Sequence, residues 1–164
     1  MTLFDRLMLG LAWLAAALFA ATGAMLTFEV VARYFFTAPT IWAAELSQLC
    51  LIWGCLLAMP WALAAGRHIA VDAAAQLLPD AVRRVTEALA MLVVAAVSGV
   101  VTSYGWWIFA DSFRRGRTTG SLLDLPAWAT ELAVPVGFGL LGLQALIQTA
   151  RAFAGHWPGA EGHE

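Results

Sequence analysis

Charged residues punctuate this chain so sparsely that they divide it into four long apolar runs. No Asp, Glu, Lys or Arg occurs from Leu7 to Phe28, Leu46 to Gly66, Ala88 to Ala110, or Leu132 to Ala150. A bilayer's hydrocarbon core is about 30 Å thick and a helix rises about 1.5 Å per residue, so about 20 apolar residues span it. Each run is long enough, and no fifth one is. With their flanking turns the spans are expected at about 7–32, 42–66, 85–110 and 128–150. They form a single four-helix domain over 1–151, followed by a short tail, 152–164. The first run is longer than the apolar stretch of a secretory signal, and its leading flank pairs Asp5 with Arg6, so it reads as an uncleaved span.

The connections and aromatic positions fill in this frame. Trp42, Trp61, Trp106, Trp107 and Trp128 fall near span ends, where an indole prefers the headgroup layer, while Trp13 and Trp53 are expected deeper, between helices. Alanines at 12, 16, 20 and 24 form a small-residue face on the first span, and Ala58, Ala62 and Gly66 repeat the spacing in the second. Such faces let helices approach closely. The first connection is a short hairpin with Pro39 near its tip. Between the second and third spans, Ile69–Leu78 puts Asp72 and Gln76 on one edge and Ala70, Val71, Ala74, Leu77 and Leu78 opposite, the pattern of a helix lying in the membrane surface. Pro79 stops it. Asp80 then suits an N-cap, with Asp80–Arg84 and Arg83–Glu87 as i,i+4 pairs. The fold predicted is an all-α membrane protein of four transmembrane helices, with a short amphipathic surface helix between the second and third.

Composition sharpens what the chain is not. Of 164 residues 62% are hydrophobic and 12% charged, against roughly 25% charged in soluble domains. Nine Arg, no Lys and eleven acidic residues leave a net charge of −2, which gives no electrostatic footing to a nucleic-acid partner. Cys50 and Cys55 have neither redox nor metal-ligand spacing and read as small core residues. No span carries Asp, Glu, His or Arg near its middle, so a carboxylate-driven exporter and a haem-ligating anchor both lack their residues. Gln48, Ser98, Thr102, Gln144 and Gln148 are polar groups suited to helix–helix hydrogen bonds. There is no catalytic constellation, so no enzyme, cofactor or metal is expected.

Arg33, at the end of the first span, has two acidic candidates as partner. Glu45 opens the second span across the hairpin, where pairing would share the cost of desolvation. Glu29 lies one turn earlier in the favourable acid-before-base order. Orientation is barely set by charge. Arg6, Arg67, Arg83, Arg84 and Arg151 fall on one side, and Arg33, Arg114, Arg115 and Arg117 on the other.

The order of short motifs adds a resemblance. Arg33-Tyr34-Phe35-Phe36, then Trp42-Ala-Ala-Glu45-Leu46, then Gly66-Arg67-His68-Ile69-Ala70-Val71-Asp72 with Leu78-Pro79, resemble the small, DctQ-type membrane subunit of the tripartite ATP-independent periplasmic (TRAP) transporters. Gly120-Ser121, Leu125-Pro126-Ala127-Trp128 and Val134-Pro135-Val136-Gly137 are similar to the stretch leading into that family's fourth helix. The resemblance covers about residues 5–151. It implies a scaffold for a large, elevator-type subunit of roughly a dozen spans, and a share in docking a periplasmic substrate-binding protein. It further implies sodium-driven uptake of an organic acid across a bacterial inner membrane, both termini cytoplasmic, and no substrate site in this chain. The residues it marks as structural or interface candidates are Arg33, Tyr34, Trp42, Glu45, Arg67, His68, Asp72, Pro126, Trp128 and Pro135. Arg114, Arg115 and Arg117 then lie on the periplasmic side, facing the docked binding protein or lipid headgroups. A self-sufficient small carrier, or a respiratory-complex membrane anchor, is the alternative.

Overall fold

A computed structural model describes residues 3–38, 40–64, 80–121 and 123–153, leaving aside the side chains at 3–5, 80–84, 87 and 151–153. Five helices make up the described chain: α1 (Leu3–Phe35), α2 (Trp42–Ala64), α3 (Asp80–Arg115), the short α4 (Ala127–Glu131) and α5 (Ala133–Phe153). Four segments are long and apolar enough to cross a membrane: Arg6–Phe35, Trp42–Ala64, Ala88–Arg115, and Ala127–Ala150 running through α4 and α5. The predicted four-span, all-helical frame is therefore present. Its outer helices are longer than the charge-free runs, because helix continues through the polar turns at their ends. At about 1.5 Å per residue, the 33 residues of α1 extend about 50 Å. That exceeds the hydrocarbon thickness and requires tilt or protrusion. The expected surface helix, Ile69–Leu78, lies outside the described residues, as do Arg67, His68, Asp72, Pro39, Pro79 and the tail from 154. The side-chain pairs Asp80–Arg84 and Arg83–Glu87 also lie outside what is described.

One stripe on α1 meets α2. Met8, Ala15, Thr22 and Glu29 are buried at seven-residue intervals, with Leu11, Leu18 and Met25 half-buried and Ala32 buried between them. This is a 3.5-residue repeat, the seam of two antiparallel helices meeting knob into hole. Across it Ala15 and Phe19 lie against Gly54, and the Thr22 hydroxyl reaches the Ser47 carbonyl at 3.4 Å. The alanine face expected to make this contact lies elsewhere: Ala16, Ala20 and Ala24 are exposed and Ala12 is half-buried. Trp13, expected between helices, is 72% exposed because it stands off the stripe. α3 repeats the logic, with Ser98, Gly105 and Ser112 buried seven apart. They face α5, where Gly142 lies on Ser98 and Pro135 on Gly105.

These two hairpin-like pairs join through α2 and α5, which run parallel. Among the described residues the long helices meet as α1 with α2, α2 with α5, and α5 with α3, with no substantial contact between α1 and α3. The helices therefore form an open row rather than a closed bundle. Burial follows that order: 17% of the apolar window is buried in each of α1 and α3, against 33% in α2 and 28% in the span through α5. At the central seam Pro60 removes the amide that would bond the Leu56 carbonyl. Gly137 packs there, its missing Cβ leaving room for Leu56. Trp53 donates its indole N–H to the Ala129 carbonyl at 3.0 Å, and Gln148 donates to the Leu63 carbonyl at 2.9 Å. Of the five intramembrane polar candidates, Gln148 makes the expected helix–helix bond. Gln144 is buried with its side-chain oxygen unpartnered, the Thr102 hydroxyl is likewise unpartnered, and Gln48 faces outward. Cys50 is half-buried, and Cys55, expected in the core, is exposed; both are free thiols.

Candidate functional site

Among the described residues the ion pairs gather at one end of the row, where α1 and α3 finish and α2 and α4 begin. There α1 ends in a tight turn, with Phe36 and Ala38 both donating to the Ala32 carbonyl and Thr37 in the left-handed region at φ 49°. A β-branched residue is strained at such a φ, so the turn must be held from outside itself. Glu29 holds it. Its residue is 4% exposed; one carboxylate oxygen accepts from Arg33 at 2.8 Å. The other accepts the Thr40 backbone N–H at 3.0 Å and the Thr40 hydroxyl. Arg33 thus pairs with its helical neighbour and not with Glu45. The geometry of an α-helix explains this, since residues four apart share a face.

Glu45, in the first turn of α2, does something else. It accepts from the Ser121 hydroxyl at 2.7 Å and the Leu123 N–H at 3.2 Å. Both belong to the connection between α3 and α4, which folds as a small hairpin. Thr118 and Pro126 form an antiparallel bridge, Thr119 N–H bonds Leu125 O at 2.9 Å, and Ala127 N–H bonds Arg117 O at 3.0 Å. Gly116 and Gly120 adopt φ of 60° and 63°, which glycine reaches without steric cost. Glu45 therefore pins a connection 76 to 78 residues away in sequence. Asp111 completes the set, one oxygen on Arg115 and the other on Arg117, each at 2.7 Å.

The predicted interface residues distribute around this end. Trp42 stacks on Phe28, ring centroids 5.9 Å apart, and Trp128 meets Phe113 edge-on at 5.9 Å. Pro126 precedes α4 as its N-cap residue, and Pro135 lies against Gly105. Tyr34 is 79% exposed, and Phe35 and Phe36 beside it are exposed as well. Among the described residues no group of His, Cys, Asp and Glu could hold a metal ion. The sequence reading missed Thr40 and Asp111, and it named Ser121 and Gly137 as parts of motifs without a role for either. For Glu29 there was a signal, since it continues the seven-residue spacing of Met8, Ala15 and Thr22.

The arrangement can brace a set of helices and present a polar end. Residues 22–155 match the family described as "Tripartite ATP-independent periplasmic transporters, DctQ component". The chain is 27% identical over 100 residues to the sialic acid TRAP transporter permease protein SiaT of Haemophilus influenzae (strain 86-028NP), a match covering 61% of this chain and 16% of that one. It is 26% identical over 114 residues to the C4-dicarboxylate TRAP transporter small permease protein DctQ of Rhodobacter capsulatus, covering 70% of this chain and 49% of the relative. The matches thus span less than half of either relative's length. Since the family match takes in most of the sequence, including both ends of the Glu29 and Glu45 contacts, this multi-pass membrane chain belongs to the DctQ component family of the tripartite transporters, a transporter component and not an enzyme.

Proposed function

We propose that this chain is the small permease subunit of a tripartite transporter of the bacterial inner membrane. It lies against a large membrane subunit as scaffold and lends part of the surface on which a periplasmic binding protein docks, for sodium-driven uptake of an organic acid. The observation that carries the reading is the open row. With only 17% of the apolar window of α1 and of α3 buried, the chain offers broad apolar faces to a partner within the bilayer. No span has a mid-membrane ionisable group able to bind sodium or a carboxylate. The two relatives are named for sialic acid and C4-dicarboxylate, both carboxylic acids, which supports that substrate class.

Affinity purification of a tagged copy from its native membrane tests this. The expected result is stoichiometric recovery of a large polytopic protein, and uptake only when both are present. Recovery of this chain alone, transporting by itself in vesicles, would establish the self-sufficient carrier instead. Both termini are cytoplasmic on this proposal. Reporter fusions after Asp5, Ala74 and Gly155 are expected to report cytoplasm, and those after Ala38 and Gly120 periplasm; a cytoplasmic signal at Ala38 or Gly120 reverses it.

A further inference from the structure

The C-terminal third of α3 carries a feature that neither helix packing nor the Glu45 contact uses. Ser103, Trp106, Trp107, Ala110, Asp111 and Arg114 line an open cleft of about 350 Å³ on the outward side of this edge helix. Trp106 and Trp107 are 59% and 70% exposed. Their neighbours Phe109, Phe113 and Trp128 form a chain of ring contacts behind them, with centroids 5.5–5.9 Å apart. Both oxygens of Asp111 are taken by Arg115 and Arg117. Arg114 is exposed and makes no ion pair or hydrogen bond among the described residues. Arg115 and Arg117, outside the lining, already balance the Asp111 carboxylate, so among the described residues the Arg114 guanidinium is the charge in the cleft left without a counterion.

We propose that this cleft binds the phosphate of an anionic glycerophospholipid. The vertical order of groups fits one. Arg114 stands two turns beyond Trp107, about 10 Å along the axis, and a long helical side chain leans back toward the preceding turn, over Ala110 and Trp107. Indoles settle at the headgroup–glycerol level, so the guanidinium sits where lipid phosphates lie. Arg presents paired N–H groups that match two phosphate oxygens. The cleft volume suits a headgroup, at the lower end of small-ligand sites. The exposed faces of Trp107 and Tyr104 continue below it as an apolar track for an acyl chain. A free phosphate would gain the same contact with Arg114 but nothing from that track. The site depends on the chain's membrane character and not on the identity of its transport partner.

The test uses the full chain in an uncharged detergent, titrated with dioleoylphosphatidylglycerol and followed by native mass spectrometry. Wild-type protein is expected to retain this lipid in preference to dioleoylglycerol, which lacks the phosphate; that comparison needs no variant. Arg114→Gln is expected to weaken retention about tenfold, as for loss of a hydrogen bond between charged groups, and Arg114→Lys to weaken it less. Trp107→Leu should weaken it too, without abolishing the preference for phosphate. Equal retention of dioleoylglycerol, unchanged retention in Arg114→Gln, or displacement of the lipid by millimolar inorganic phosphate would each overturn the proposal. So would loss of a soluble protein's binding in Arg114→Gln with lipid retention intact, since the cleft would then be a protein contact.

Discussion

Gly137→Ala is expected to destabilise the protein, whereas Gly23→Ala, an identical change in another membrane helix, should leave it unchanged or slightly more stable. The contrast comes from what each new methyl group meets. At Gly23 there is nothing within 4 Å, so the substitution only removes glycine's disadvantage in a helix, about 1 kcal/mol. At Gly137 the added Cβ would stand 2.6 Å from the Leu56 Cβ and 3.2 Å from the Leu56 carbonyl oxygen. Those atoms are fixed to the α2 backbone, so no rotamer change relieves the clash and the two helices must part. Overpacking of this kind costs about 1–3 kcal/mol. The site magnifies it, because the α2–α5 seam joins the α1–α2 and α3–α5 pairs. Trp53 bridges the same seam to Ala129, so tryptophan fluorescence during thermal unfolding in detergent is a direct readout. The midpoint should fall by several degrees for Gly137→Ala and further for Gly137→Val. Adding Leu56→Ala should not relieve the clash, since that residue keeps its Cβ, whereas in a Leu56→Gly background, itself less stable for want of a buried leucine, Gly137→Ala should lower the midpoint by less than it does in the wild type. Equal midpoints for the Gly137 and Gly23 variants would show that the seam is not closely packed.

The parts of this fold that were legible in the sequence are those set by local composition. Four spans followed from four charge-free runs, because a membrane tolerates almost no unpaired charge across its core. What stayed hidden was which face of each span meets a neighbour. In an alanine-rich helix several small-residue stripes compete, and Ala12, Ala16, Ala20 and Ala24 were as eligible by spacing as any other. The stripe actually buried on α1 includes Thr22 and Glu29, so a search for apolar or small residues passes over it. With that stripe known, Trp13 belongs outside, where an isolated chain shows it exposed. The Arg33 alternatives illustrate a second limit. Glu29 was within reach by helix geometry alone, whereas Glu45 is claimed by Ser121 and Leu123, which no local spacing brings near. Only the antiparallel return of α3 places that hairpin over the start of α2.

Glu29→Gln is expected to loosen the α1–α2 turn, while Arg33→Gln leaves it nearly intact, although the two residues form one ion pair. The reason is an imbalance in what each side chain holds. Arg33 is 59% exposed along its side chain, and water or headgroups replace what it loses. Glu29 is 6% exposed at the side chain and supplies acceptors to three donors at once: Arg33, the Thr40 N–H and the Thr40 hydroxyl. A glutamine has one acceptor atom, and its amide nitrogen would confront a donor on one side or the other. Either Arg33 or Thr40 is then stranded, and an unsatisfied backbone donor near hydrocarbon is costly. Thr37, held at φ 49°, loses the outside support that keeps it there. Amide hydrogen exchange at Thr40 separates the variants: Glu29→Gln should accelerate it about tenfold or more, in keeping with one lost charge-assisted hydrogen bond. Arg33→Gln should change it little. If both variants accelerate exchange equally, the ion pair itself fastens the turn, and Glu29 acts through Arg33 rather than through Thr40.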